Sequence, residues 1–151
     1  MTGLLVSIWR LLRRPSQWYL LWFINHKFII GVSGVIFDEQ KRILLLRHRY
    51  WKAGSWGLPG GYVEHKEKLE EALRRELQEE TGYQIQVHAL LRLVSGYKLR
   101  IEASYVGTII GGDLHLDQKE VIEARFFAVN ELPAGLLRSH RAIIALACAE
   151  E

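Results

Sequence analysis

The sequence is poor in cysteine and proline, and its first 27 residues contain no acidic side chain. Cys148 is the only cysteine, so an intrachain disulfide and a cysteine-rich zinc site are both excluded. No apolar run approaches the ~20 residues that a membrane-spanning helix needs, and the first residues do not match a secretory signal. A cytoplasmic protein without disulfides is therefore expected.

The length and charge distribution predict one globular domain preceded by a short arm. A chain of 151 residues is long enough for one core of ordinary size. Residues 1–26 form the arm, and residues 27–151 form the domain. The excess positive charge belongs to the arm and Lys27, and the remaining residues are nearly balanced. No broad nucleic-acid-binding surface is therefore predicted.

The arm contains two apolar clusters, at 4–9 and 18–24, separated by arginines and Pro15. This pattern predicts two short amphipathic helices interrupted at the proline. So much aromatic surface has to be covered by something. Contact with the domain, or with a second subunit in a homodimer, is favoured over peripheral contact with a membrane, because Pro15 ends the first apolar run early.

Beyond the arm, the residue pattern predicts both strands and helices. Segments rich in β-branched and aromatic residues indicate strands at 28–37, 42–49, 84–94, 98–110 and 124–129. Helices are predicted at 67–81, where Gly82 ends the helix, and at 139–149. Because strands and helices do not alternate strictly, the order predicts an α/β (α+β) fold with helices on both faces of a mixed sheet.

The helix predicted at 67–81 carries three glutamates on one face. At ~100° per residue, Glu76, Glu79 and Glu80 fall within an arc of roughly 100°. Leu73 and Leu77 lie on the adjoining stripe, so the carboxylates are placed beside the buried side of the helix. A hard divalent cation such as Mg²⁺ would relieve their repulsion and lost solvation. The alternative is an acidic face that only contacts water.

Residues 61–83 resemble the Nudix box. Gly61 is followed after five residues by Glu67, and after seven more by Arg75-Glu76-Leu77-Gln78-Glu79-Glu80-Thr81-Gly82-Tyr83. Every fixed position of the box is filled, and only Tyr83 departs from it, where an aliphatic residue is usual. The resemblance implies a Nudix-type α/β/α sandwich and a pyrophosphohydrolase that cleaves the diphosphate linkage of a nucleoside diphosphate derivative or nucleoside triphosphate by water attack at phosphorus.

The resemblance also implies roles for individual residues. Glu76, Glu79, Glu80 and the carbonyl of Gly60 would bind Mg²⁺, with Mn²⁺ as an alternative ion. Arg75 would hold a box glutamate. The catalytic base would be a helix glutamate or Glu120, in the loop before the last predicted strand.

Glu123 is the nearest rival to Glu120 as that loop glutamate. Four residues are candidates for contact with a nucleotide-like diphosphate substrate: Arg47, Arg49, Trp51 and Tyr105. The arginines would clamp phosphate and Trp51 would stack on a base, although surface charge and a lid aromatic explain these three residues equally well. For Tyr105, ordinary packing is favoured. The markers that separate Nudix subclasses are not matched, so the sequence indicates the reaction better than the substrate.

Two other classes of function stay open. A non-catalytic nucleotide-binding module could share the fold, although such a module would be free to lose its metal carboxylates. An isoprenoid diphosphate isomerase would need a cysteine acid–base group, and Cys148 lies far from the box in sequence.

Overall fold

The computed structural model describes residues 9–10, 14–95 and 98–149. The elements in chain order are α1 (Arg14–Ile24), β1 (Ile29–Phe37), β2 (Ile43–His48), α2 (Leu69–Thr81), β3 (Gln84–Ser95), β4 (Arg100–Gly111), β5 (Val121–Phe127) and α3 (Arg138–Ala149). A short 3₁₀ helix, Val129–Glu131, connects β5 to α3.

The five strands form one mixed sheet in the order β3–β4–β1–β2–β5. The central strand β1 is parallel to β4, with Ile29 opposite Arg100 and Phe37 opposite Thr108. The other neighbouring strands are antiparallel. The mixed sheet predicted from the sequence is therefore confirmed.

Each face of the sheet has its own hydrophobic core, because side chains alternate along the strands. In β2, Leu44 and Leu46 pack on the side of α2, whereas Ile43 and Leu45 pack on the side of α3. All four side chains are fully buried. The helices thus cover opposite faces, and the predicted three-layer α/β/α arrangement is confirmed.

The helix and strand limits differ from the predicted ones by a few residues at the ends. Helix α2 begins at Leu69 rather than at 67. The residue before it, Lys68, caps the helix by donating its amide to Glu71 Oε2 at 3.2 Å. It ends as predicted, because Gly82 adopts a left-handed conformation with φ 78°. Strand β5 begins at Val121 instead of 124, because Val121 pairs with His48 in β2.

Helix α1 protrudes from the domain without packing against it. Pro15 lies in its first turn, where a proline is tolerated because it lacks only an amide that would be unpaired there. None of the eleven residues of α1 is buried. The other helix predicted in the arm lies largely outside the described residues. Among the described residues, no helix is long and apolar enough to cross a membrane.

Candidate active site

Helix α2 presents three glutamates to one cavity because its opposite side is fixed in the core. Leu73 and Leu77 are fully buried against the sheet. Glu76, Glu79 and Glu80 line a cavity of about 710 Å³. The carboxylates predicted on one helical face are therefore gathered at the same cavity.

The loop before α2 brings two glycines against these carboxylates. The Gly60 amide lies 3.3 Å from Glu80 Oε2, and the Tyr62 amide donates to Glu76 Oε1 at 3.2 Å. A Cβ at Gly61 would lie 2.2 Å from the Glu76 carboxyl carbon, and one at Gly60 would lie 2.1 Å from the Val32 carbonyl oxygen. Only glycine fits these positions without moving the loop or the carboxylate.

Arg75 ties the beginning of the motif to its end. Its Nε and Nη2 donate to Glu67 at 2.9 and 3.1 Å, while Nη1 donates to Glu76 at 3.0 Å and Glu79 at 3.2 Å. Nη2 also donates to the Tyr62 carbonyl at 2.9 Å. These bonds raise the pKa of Arg75, and the bond to Glu67 contributes most. In turn, the Arg75 guanidinium lowers the pKa of Glu67. The cation therefore orders the carboxylates around it.

Glu80 is the most deeply placed of the three helix glutamates. It is 4% exposed, and burial raises its pKa above the ordinary value. His48 Nε2 lies 2.8 Å from Glu80 Oε1. The ring N–H is not aligned for a hydrogen bond, so this is a close approach of the two groups that leaves His48 Nε2 without a straight partner. A buried carboxylate so weakly compensated is well suited to a cationic ligand.

A second pair of carboxylates reaches the cavity from the loop before β5. Asp117 and Glu120 both line it. The Asp117 amide donates to the Glu80 carbonyl at 3.2 Å, which ties the loop to the end of α2. Glu123 does not line the cavity, because its carboxylate accepts from Arg47 Nη1 at 3.0 Å. The loop thus brings Glu120 rather than Glu123 towards the helix glutamates.

Another part of the cavity lining is formed by aromatic and imidazole rings. Tyr50, Trp51 and His140 line it. The Trp51 ring lies 4.6 Å from that of His48 and 6.2 Å from that of His140. His140 Nδ1 accepts from the Leu58 amide at 2.8 Å, so the neutral ring carries its proton on Nε2. Burial, and then the charge of Arg100, lower the pKa of His140 to about 4.

The chain matches the profile of the family described as the NUDIX domain over residues 27–147. This match covers most of the chain and contains the whole cavity. The chain belongs to the Nudix family.

Curated and solved relatives support this assignment. The chain is 36% identical to an ADP-ribose pyrophosphatase of Methanocaldococcus jannaschii over 122 residues, covering 76% of this chain and 70% of that protein. It is 32% identical to a putative 8-oxo-dGTP diphosphatase of Bacillus subtilis over 112 residues, covering 74% of each. The structure of a MutT Nudix hydrolase from Burkholderia pseudomallei superposes with a TM-score of 0.70 at 26% identity, covering 80% of this chain and 98% of that chain. The protein is thus a Nudix pyrophosphohydrolase, and the non-catalytic alternative is not retained.

The structure brings together only part of the predicted set of site residues. The predicted residues that line the cavity are Gly60, Glu76, Glu79, Glu80, Glu120 and Trp51. Arg75 acts on the cavity through the carboxylates it holds.

The other three predicted substrate contacts do not line the Nudix cavity. Arg47 is engaged with Glu123, and Arg49 Nε donates to the Gln118 carbonyl at 2.8 Å. Tyr105 is buried beneath α2, and its hydroxyl lies 3.4 Å from Glu70 Oε1. Strand alternation separates the arginines from His48 and puts His48 on the same face as Leu44 and Leu46, the side of α2.

Sequence reasoning did not select His48, Asp117 or His140, all of which line the cavity. His48 is next to two residues that were selected, and the alternation of the strand was the available signal for its placement. His140 carried no signal in the sequence, because its position depends on how α3 packs against the sheet.

The atoms that could bind a metal at the carboxylate cluster are oxygens, which are the ligands that a hard divalent cation prefers. Glu80 is a buried carboxylate, and the room in front of Glu76 exists only because residue 61 is glycine. Within the described ranges, no three acidic, histidine or cysteine side chains are already converged on one metal position. Glu79 is held aside by Arg75, with its side chain 61% exposed. Because Mg²⁺ keeps several waters and binds substrate phosphates, a few carboxylate oxygens suffice for it.

Proposed function

We propose that this Nudix hydrolase cleaves the diphosphate linkage of a nucleoside diphosphate bonded to a second group, with Mg²⁺ as its cation and Mn²⁺ as an alternative. The observation that carries this proposal is the meeting of carboxylates from two separate segments, α2 and the 117–120 loop, around one cavity. The activities named for the two curated relatives, on ADP-ribose and 8-oxo-dGTP, both belong to nucleotide diphosphate chemistry.

The positions of the residues support the following roles. A bound divalent cation supplies neutralisation of phosphate charge and a lowered pKa for bound water. Glu76, Glu79, Glu80 and the Gly60 carbonyl would hold it, and Arg75 keeps two of these carboxylates in place. Glu120 takes the proton of the attacking water, whose oxygen bonds to phosphorus as the bridging P–O bond breaks. Trp51 offers a ring face on which a nucleobase stacks.

A substrate screen tests the reaction type. The full chain is incubated with ADP-ribose, a UDP-sugar, a dinucleoside diphosphate or nucleoside triphosphates, each with Mg²⁺, Mn²⁺ or a chelator. We expect hydrolysis of at least one diphosphate ester that depends on the cation. Reaction in ¹⁸O-labelled water, followed by ³¹P NMR, then identifies the phosphorus that is attacked. Equal hydrolysis in the presence of the chelator would contradict the proposal. So would ¹⁸O in a product that carries no phosphate, because water would then have attacked carbon instead of phosphorus.

A matched pair of variants tests the site. Glu79→Gln removes a carboxylate of the cavity, and Glu131→Gln removes an exposed carboxylate in the 3₁₀ helix outside it. Only the first variant should lose hydrolysis. Equal activity in both would show that the α2 carboxylates do not form the catalytic centre.

A further inference from the structure

The arm presents exposed apolar residues that the domain leaves uncovered. Every residue of 18–24 is large and apolar, and Phe28, Ile29 and Leu99 add to this set. These side chains are between 43% and 77% exposed. The Ile29 amide donates to the Leu99 carbonyl at 2.9 Å, which connects the arm side of the surface to the β3–β4 end of the sheet. We call these ten residues the arm surface.

The charges within the arm and at Lys27 are all of one sign. Residues 1–27 contain Arg10, Arg13, Arg14 and Lys27 and no acid. Arg14 precedes the apolar stretch and Lys27 follows it, with the Lys27 Nζ 4.4 Å from the centre of the Trp22 ring. A partner that is both anionic and apolar therefore complements this surface best.

Two other partners for the arm surface, its own domain and a second copy of the chain, fit its exposure and charge less well. The arm's own domain does not cover α1, because no residue of that helix is buried. A twofold contact with a second copy, arm against arm, brings two sets of basic residues together with no acid between them.

The dimensions and composition of α1 suit the interfacial layer of a bilayer. Eleven residues give a helix of about 16 Å, well short of the ~30 Å of a hydrocarbon core. Seven consecutive apolar residues cover the helix all round, so its C-terminal half can be immersed while Arg14 stays among headgroups. Trp18, Tyr19 and Trp22 are the residue types that favour this depth.

We propose that the arm surface docks on an anionic lipid bilayer. Docking of this kind sets the orientation of the catalytic domain. Ile29 pairs with Arg100, and Gly31 pairs with Tyr62, and both Arg100 and Tyr62 line the cavity. The arm surface therefore meets the domain beside the cavity, and docking holds the cavity close to the headgroups. The proposal depends on none of the chemistry assigned to the cavity.

Vesicle flotation of the full chain tests the proposal directly. The probes are vesicles of phosphatidylcholine alone and vesicles that also contain phosphatidylglycerol. We expect binding to the anionic vesicles that weakens as salt is added. Trp22→Glu with Phe23→Glu should lower the vesicle partition coefficient by about tenfold or more, because two apolar anchors are replaced by anions. Leu146→Glu is the matched control, since Leu146 is an exposed helical residue of α3 and should leave binding unchanged.

A second variant separates charge from apolar contact. Arg14→Glu with Lys27→Glu should weaken binding to anionic vesicles and remove most of its salt dependence. Light scattering of each protein during size exclusion reports the mass in solution. Three results would overturn the proposal: no binding to either vesicle, equal binding to both, or unchanged binding by the Trp22 and Phe23 variant. A smaller mass for that variant with unchanged vesicle binding would assign the arm surface to a second copy instead.

Discussion

The two sides of the active-site cavity are built in different ways. The carboxylate wall consists of Gly60, Gly61 and the α2 glutamates at 76, 79 and 80, which are close together in the sequence. The aromatic wall consists of Tyr50, Trp51 and His140, which come from opposite ends of the domain sequence. Backbone amides and Arg75 hold the first wall, and ring contacts hold the second. The helix carboxylates are therefore encoded in one continuous segment, whereas the aromatic wall is assembled by folding.

The largest expected effect comes from neutralising the carboxylate wall. Glu80→Gln should lower kcat/KM at least about a hundredfold, because it removes an anionic ligand of the cation. The melting temperature should stay the same or rise, because burial opposes the charge of Glu80 and glutamine carries none. Steady-state kinetics and thermal unfolding of the same preparation check both parts. Full activity, or a large fall in melting temperature, would count against this role for the wall.

Exchange of the loop carboxylate should affect catalysis without affecting substrate affinity. We expect Glu120→Gln to lower kcat by on the order of 10²-fold or more with little change in KM, because the base acts in the transition state. Glu123→Gln is the control, since it removes a half-exposed ion pair with Arg47 worth about 0–1 kcal/mol. If Glu123→Gln lowers kcat and Glu120→Gln does not, the base has been assigned to the wrong glutamate.

A single methyl group at residue 61 should disturb the carboxylate wall, because it would displace the Glu76 carboxylate. In Gly61→Ala the added Cβ would lie within 2.4 Å of both Glu76 carboxylate oxygens, so the carboxylate has to move. We expect kcat to fall about tenfold or more and unfolding free energy to fall by about 1–3 kcal/mol. In Gly111→Ala the nearest atom, Gln84 Oε1, is 3.6 Å away, so both quantities should be unchanged. Similar behaviour of the two variants in kinetics and urea unfolding would mean that the glycine contact has no consequence.

The aromatic wall should respond to pH through His140. Because its folded pKa is about 4, below the ordinary value, the folded state resists its protonation. The stability it contributes is complete above about pH 6.5 and is lost as pH falls towards 4, by up to about 3 kcal/mol. His140→Gln removes this part of the pH dependence. Urea unfolding of both proteins at pH 7 and pH 4.5 checks the difference, and parallel curves would show that His140 titrates normally in the fold.

The smallest expected effect is on substrate affinity. Trp51→Leu removes the ring face that lies between His48 and His140 in the aromatic wall. We expect KM for a nucleotide substrate to rise about three- to tenfold with little change in kcat, as for the loss of one stacking contact. Trp56→Leu is not an equivalent control, because Trp56 is buried in the core. A fall in kcat alone would place Trp51 with the catalytic groups.

The difference between the walls also explains what the sequence could predict. Helical spacing places Glu76, Glu79 and Glu80 relative to each other within one element, so their common face was predictable. The end of α2 at Gly82 was predictable for the same local reason. Alternation along β2 separated His48 from the arginines, but which face meets the cavity, and where His140 lies, depends on how the helices pack on the sheet. Local spacing carries no information on that packing, so Arg47 and Arg49 were selected instead of His48.

The parallel pairing of β1 with β4 has a consequence for how the chain acquires its structure during synthesis. Ile29 meets its partner Arg100 only after the intervening elements have been made, and Ile43 meets Phe127 later still. Strand β1 can therefore pair only after distant segments have been synthesised. Pairing of the strands is slow relative to formation of the helices for this reason. The apolar residues of α1 leave the ribosome before any strand of the sheet does. A nascent chain thus exposes the apolar residues of α1 before its hydrophobic core has formed. A chaperone or a nearby bilayer can bind these residues at that stage.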